Sequence, residues 1–221
     1  MFGIKKLLFG EGASGTLPED VRNAVNAWSA SQGEAFESSH FLTRYVVVDI
    51  ATTGLDPERD RLTGIAATVL HKGVIAPEQS LCIDLDPAGA DPALLDRQLA
   101  VFLRFVGKSP LVAYHAAYVA AFLEQLIRKR LGVTFQPRWV DLVWLLPAMF
   151  GERSAKPLPL DDWLDAFGLD AGEGRRSPIA NSLLLARLMQ MLVVRAHAKG
   201  VDDVAALIDE SKASSHLRRT H

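Results

Sequence analysis

Asp49 follows the β-branched run Val46-Val47-Val48 and precedes Thr52, Thr53 and Gly54. Such an apolar run reads as a buried strand, and a glycine permits the backbone angles of the turn after it. A carboxylate at the end of a buried strand, facing a turn, is placed to hold a metal ion; standing alone it would only cap the turn. His115, within Leu111-Val-Ala-Tyr-His-Ala-Ala-Tyr-Val-Ala-Ala-Phe-Leu123, is the group in its stretch that would titrate near neutral pH. Its alternative is a turn residue hydrogen-bonded to backbone. Arg176-Ser-Pro-Ile-Ala-Asn181 leads into an apolar helix with Leu184, Leu188 and Met191 on one stripe. A guanidinium stays protonated, so Arg176 can attract a phosphate but cannot act as a general base. Arg175 and Arg176 could equally decorate an exposed loop. No Cys and His spacing suits zinc.

The elements that must position these residues follow from periodicity. Strand one spans 44–50, and two extended runs, 62–71 and 74–84, meet at His71-Lys72-Gly73 as an antiparallel meander. Asp91-Pro92 caps a helix to about 106, with Leu95, Leu99, Phe102 and Val106 on one face. A short strand at 111–114 precedes a helix over 117–131, whose basic end Arg128-Lys129-Arg130 complements the helix dipole. A last strand over 138–140 is followed by helices at 141–150, 160–167, 178–198 and 201–211, with 214–221 as a disordered tail. Ahead of all this, Pro18-Glu19-Asp20 opens a helix to about 31 with Val21, Val25 and Trp28 on its apolar face. Residues 1–16 read as loosely structured, either a frayed terminus or a small amphipathic anchor. The order implies an α/β sheet of mixed direction, with an N-terminal extension over 1–43, a main domain over 44–198, and a C-terminal helix and basic tail over 199–221.

The chain has 221 residues, 49% of them hydrophobic and 23% charged, and a net charge of −2. That length can bury a sizeable core, and the balance gives no global bias toward nucleic acid, so a polyanion site must be local. The single cysteine, Cys82, precludes an internal disulfide. No apolar run reads as long enough to cross a membrane, and the expected localisation is cytoplasmic.

Tyr45-Val-Val-Val-Asp-Ile-Ala-Thr-Thr-Gly-Leu-Asp56 resembles the first motif of the DEDDh 3′–5′ exonucleases, the superfamily of the proofreading epsilon subunit of bacterial DNA polymerase III. That motif reads Asp-x-Glu-Thr-Thr-Gly-Leu; here Asp49, Thr52, Thr53, Gly54 and Leu55 match, and Ala51 stands for the glutamate. The second motif, His-Asn-x-x-Phe-Asp, aligns with Tyr114, His115, Tyr118 and Val119, the last in place of the aspartate. The third, His-x-x-x-x-Asp, aligns with Arg176 and Asn181. Trp139-Val-Asp-Leu142 and Leu158-Pro-Leu-Asp-Asp-Trp-Leu164 resemble supporting segments of the family, so the likeness covers about 44–195. It implies a ribonuclease H-like fold: a mixed five-stranded sheet flanked by helices, here with an N-terminal helical extension.

The resemblance also implies a chemistry. Two-metal phosphodiester hydrolysis needs carboxylates converging on ions about 4 Å apart. Of the four family acids only Asp49 remains, and the general-base histidine is replaced by Arg176. The shifted acids Asp56 and Asp141 lie near strand ends but at no motif position. Three functions are therefore expected as alternatives. The first is a catalytically degenerate domain, a pseudoenzyme acting as a binding or scaffold module for a protein partner. The second is metal-free binding of a nucleotide or single-stranded nucleic acid, with Thr52, Thr53, Gly54, His115, Arg176 and Asn181 contacting phosphate or base. The third is a residually active 3′–5′ exonuclease. Mg²⁺ or Mn²⁺ is expected only for the third; the others need no cofactor.

Overall fold

The computed structural model describes residues 17–33, 37–85, 91–169, 172 and 176–219, with side chains to residue 215. The readings made for residues 1–16 and for Arg175 lie outside this set. Five strands form one sheet in the order β3-β2-β1-β4-β5. The central strand β1 (Arg44–Thr52) pairs antiparallel with β2 (Leu62–His71), which pairs antiparallel with β3 (Val74–Asp84). On the other side of β1, β4 (Leu111–Ala113) and β5 (Trp139–Asp141) run parallel to it. The meander and the mixed direction are as the sequence implies.

Alternation along β1 divides the core. Val46 and Val48 face α1 (Glu19–Ala30), α2 (Pro92–Val106) and α3 (Ala116–Leu131) in one apolar cluster. Tyr45 and Val47 face the opposite cluster, built on α4 (Leu142–Met149), α5 (Leu160–Ala166), α6 (Pro178–Ala198) and α7 (Val204–Arg219). Both faces of the sheet are thus covered by helices, which explains why β1 reads as an unbroken apolar run. Trp28 of α1 is nearly buried and packs on Phe135, and its indole Nε1 donates to Gly107 O at 2.8 Å.

Three expectations change. β1 does not end at residue 50 but continues to Thr52, because its ladder with β2 persists through Ala51↔Gly64 before an irregularity leads to Thr52↔Leu62. The segment after 213 is not a disordered tail: α7 runs to Arg219, with Leu207, Ser211 and Ser214 buried on one stripe. Those serines are polar in type but small, so they occupy core-facing positions that a hydrophobic pattern does not flag. Finally, α6, at 21 residues, is long and apolar enough to cross a membrane by length and composition. Its Leu185, Leu188, Met189 and Leu192 are instead fully buried in the core on this face of the sheet.

Candidate functional site

Asp49 lies two residues beyond Val47 on β1 and therefore points to the same face, toward the start of α6. There Ser177 caps the helix, accepting from Ala180 N at 3.4 Å, and Pro178 occupies the first turn, where its missing N–H costs nothing. One turn further in, the Asn181 amide Nδ2 donates to Asp49 Oδ2 at 3.1 Å. The Asn181 Oδ1 accepts from Arg176 Nε at 2.7 Å. Arg176 Nη2 in turn donates to Asp161 Oδ1, in an ion pair between the segment before α6 and the first turn of α5. Only this orientation of the amide presents nitrogen to a carboxylate and oxygen to a guanidinium, so its two neighbours determine it.

The four side chains thus form one hydrogen-bonded chain, Asp49–Asn181–Arg176–Asp161. They line a cleft of about 570 Å³ together with Ala51 and Ser177. Burial pushes the Asp49 carboxyl up to about 6, against the opposing pull of the Asn181 hydrogen bond, the Ile50 backbone and the Arg176 charge. Arg176 is 14% exposed at its side chain, so it faces inward rather than decorating a loop, whereas Asp161 is 67% exposed.

The remaining motif residues lie elsewhere. Val119 is buried in the apolar core beneath α3. His115 is exposed at the N-cap of α3 in the left-handed region, φ 60°, with no side-chain capping bond and an edge-on contact to Tyr114. The Thr-Thr-Gly turn bonds internally: Thr52 Oγ1 reaches Gly54 O at 2.7 Å and the Tyr118 hydroxyl at 2.7 Å. Thr53 accepts from Arg61 N at 2.9 Å. Asp60, which sequence reasoning missed, ties this turn together, accepting from Asp56 N at 2.9 Å and from Thr53 Oγ1 at 3.3 Å. A Cβ on Gly54 would meet the Asp60 carboxylate at 2.4 Å, so this glycine is needed for close approach rather than for its angles. Asp161 was also missed; it lies inside a quoted motif, but an acid in a first helical turn carries its own dipole explanation.

The shifted acids serve as caps. Asp56 accepts from Glu58 N at 2.9 Å, and Asp141 accepts from Val143 N at 3.1 Å at the start of α4. Burial raises the Asp141 carboxyl, with Val143 and other backbone donors opposing. The four family positions offer one carboxylate, one amide, a methyl and an isopropyl group, with a guanidinium bonded to the amide. Magnesium prefers hard oxygen ligands and carboxylate charge, so this donor set does not fit a pair of Mg²⁺ ions. Among the described residues no group of three or more His, Cys, Asp or Glu is arranged to hold a metal.

No family model matches the chain. It is 27% identical over 182 residues to a DNA polymerase III PolC-type of Thermotoga petrophila, covering 76% of this chain and 12% of the relative. It is 28% identical over 136 residues to the Clostridium perfringens PolC-type polymerase, covering 54% of this chain and 9% of the relative. The chain thus matches only a small part of the length of these relatives. Among solved structures it is similar to Escherichia coli exonuclease I in complex with a dT13 oligonucleotide, with a TM-score of 0.55 and 14% identity, over 71% of this chain and 42% of that one. The fold is that of the ribonuclease H-like exonucleases, an α/β mixed five-stranded sheet flanked by helices. The chain is homologous to part of PolC-type DNA polymerase III, consistent with the DEDDh exonuclease superfamily.

Proposed function

We propose that this chain is a catalytically degenerate exonuclease-like domain that binds rather than cleaves. The observation that carries the reading is the Asp49–Asn181–Arg176–Asp161 chain. In it the one retained acid is bonded to an amide, and a fixed cation stands where a neutral histidine would act as base. With Ala51 and Val119 at the other acid positions, no second family carboxylate stands beside Asp49, and among the described residues no group of three or more His, Cys, Asp or Glu is arranged to hold ions. The test is hydrolysis of a 5′-labelled single-stranded oligonucleotide with Mg²⁺ or Mn²⁺, beside an identically purified Asp49→Ala variant. The expected result is no trimming by either protein. Metal-dependent trimming lost in the variant would overturn the reading and mean that a residual exonuclease completes its site with other acids.

What such a domain binds has a favoured answer in the inward-facing Arg176. A guanidinium in a cleft of about 570 Å³ suits the phosphate of a nucleotide or of single-stranded nucleic acid. The oligonucleotide complexes of the structural neighbour, exonuclease I, support this choice. Such binding is expected without metal, surviving chelator and weakening with salt.

A further inference from the structure

We propose that Asp161 holds the anion position of the cleft, and that a phosphate group binds Arg176 by displacing it. This inference rests on the metal-free binding cleft proposed above and specifies how its ligand is admitted. Arg176 uses its two outward nitrogens unequally. Nε is pinned at 2.7 Å to Asn181, which Asp49 holds from the strand side, so the guanidinium keeps its direction whatever Nη2 does. Nη2 goes to Asp161, whose side chain is 67% exposed and sits on a helix of only seven residues, α5. The inner contact is therefore built into the sheet and α6, and the outer one hangs from an element at the cleft's rim.

The two anions differ in competitive strength. The Asp161 carboxylate is 67% exposed, so water screens its hold on the guanidinium and offers it other partners. A phosphate offers more acceptor oxygens and more charge to the planar guanidinium fork, and it would meet a donor already aimed. Among the described residues the charged groups facing this point are Asp49 from β1, Asp161 from α5 and Arg176 itself. With both carboxylates ionised these three groups sum to one formal negative charge, which opposes a phosphate. Releasing Asp161 removes one of those charges from the guanidinium and turns the site into an acceptor.

The test uses the full chain in chelator, with thymidine monophosphate in calorimetry and a labelled oligothymidylate in fluorescence anisotropy. Asp161→Asn, at an exposed position, is expected to tighten binding about tenfold over the unaltered protein at low salt. A gain for the mononucleotide alone assigns a terminal phosphate. A gain for the oligothymidylate alone assigns a phosphodiester. Adding Arg176→Gln to Asp161→Asn, or Arg176→Met as a second replacement verified by thermal melt, is expected to abolish the gain. Equal affinity of the unaltered protein and Asp161→Asn for both probes overturns the proposal, as does a gain that survives loss of Arg176. Neither result touches the degenerate-domain reading, which falls only if metal-dependent hydrolysis is found.

Discussion

One face of β1 carries a polar cluster at each end, and the two clusters solve burial in opposite ways. At the N-terminal end His40, 3% exposed, is bonded through Nδ1 to the Tyr45 hydroxyl at 2.6 Å and through Nε2 to Val201 O at 2.9 Å. Because Val201 O can only accept, Nε2 carries the proton and Nδ1 accepts from Tyr45. Burial holds His40 below the usual imidazole range and Tyr45 above the usual phenol range, so both are neutral. Backbone contacts reinforce the junction, with His40 N on Asp202 O and a bridge from Ser39 to Asp203. Four residues along the strand, Asp49 brings a carboxylate into a buried site where its partners only partly offset the loss of water. One end is a satisfied neutral clamp; the other keeps an incompletely compensated charge, as functional sites commonly do.

The comparison breaks most sharply at the clamp. His40→Ala leaves the Tyr45 hydroxyl and the Val201 carbonyl unpaired beside a cavity, and is expected to cost about 3 kcal/mol in urea unfolding at pH 7.5. A loss below about 1 kcal/mol would mean that the clamp contributes little. Asp49→Asn should do the reverse. The folded carboxyl lies at about 6 against an ordinary 3.8, so above pH 6 the folded state carries the full cost of the buried charge. Below 3.8 the acid is protonated whether folded or not, and the cost vanishes. The substitution is therefore expected to stabilise by about 1–3 kcal/mol at pH 7.5 and by nothing near pH 3.5.

His40 gives the opposite slope. Its folded pKa is lowered, so above about 6.5 folded and unfolded imidazoles are both neutral, and stability is lost as pH falls below that value. In the Asp49→Asn background, where the opposing carboxylate contribution is gone, unfolding midpoints between pH 7 and 5 should fall, and His40→Gln should flatten the decline. The smallest effect belongs to the rim. Asp161→Asn is expected to alter stability by less than about 0.5 kcal/mol, which differential scanning of melts would resolve. A larger loss would show Asp161 to be a structural tie.

The sheet was legible because its signals are local. Val46-Val47-Val48, the His71-Lys72-Gly73 turn and the Asp91-Pro92 cap each declare an element within a few residues, and the order β3-β2-β1-β4-β5 follows the implied fold. The cleft was half legible. Spacing brought Asp49, Ala51, Arg176 and Asn181 together, since each occupies a position set by β1 or the start of α6. Spacing did not reveal that Asn181 bridges Asp49 and Arg176, a pairing across 132 residues that depends on how α6 lies over the sheet. Nor did it reveal Asp60 or Asp161, acids whose sequence context already explained them as turn and helix-start residues. His115 and Val119 show the converse. Their motif alignment was clear, but one is exposed at a helix cap and the other buried in the core, so alignment alone did not bring them to the cleft.

The most direct test of the central claim, that Asp49 is held by an amide and a guanidinium instead of by metal, is calorimetric titration of Mn²⁺ into the unaltered protein and into Asp49→Ala. The same featureless dilution heats are expected for both. Saturable binding by the unaltered protein that disappears in Asp49→Ala would contradict it, and would mean that the retained acid still gathers a metal site.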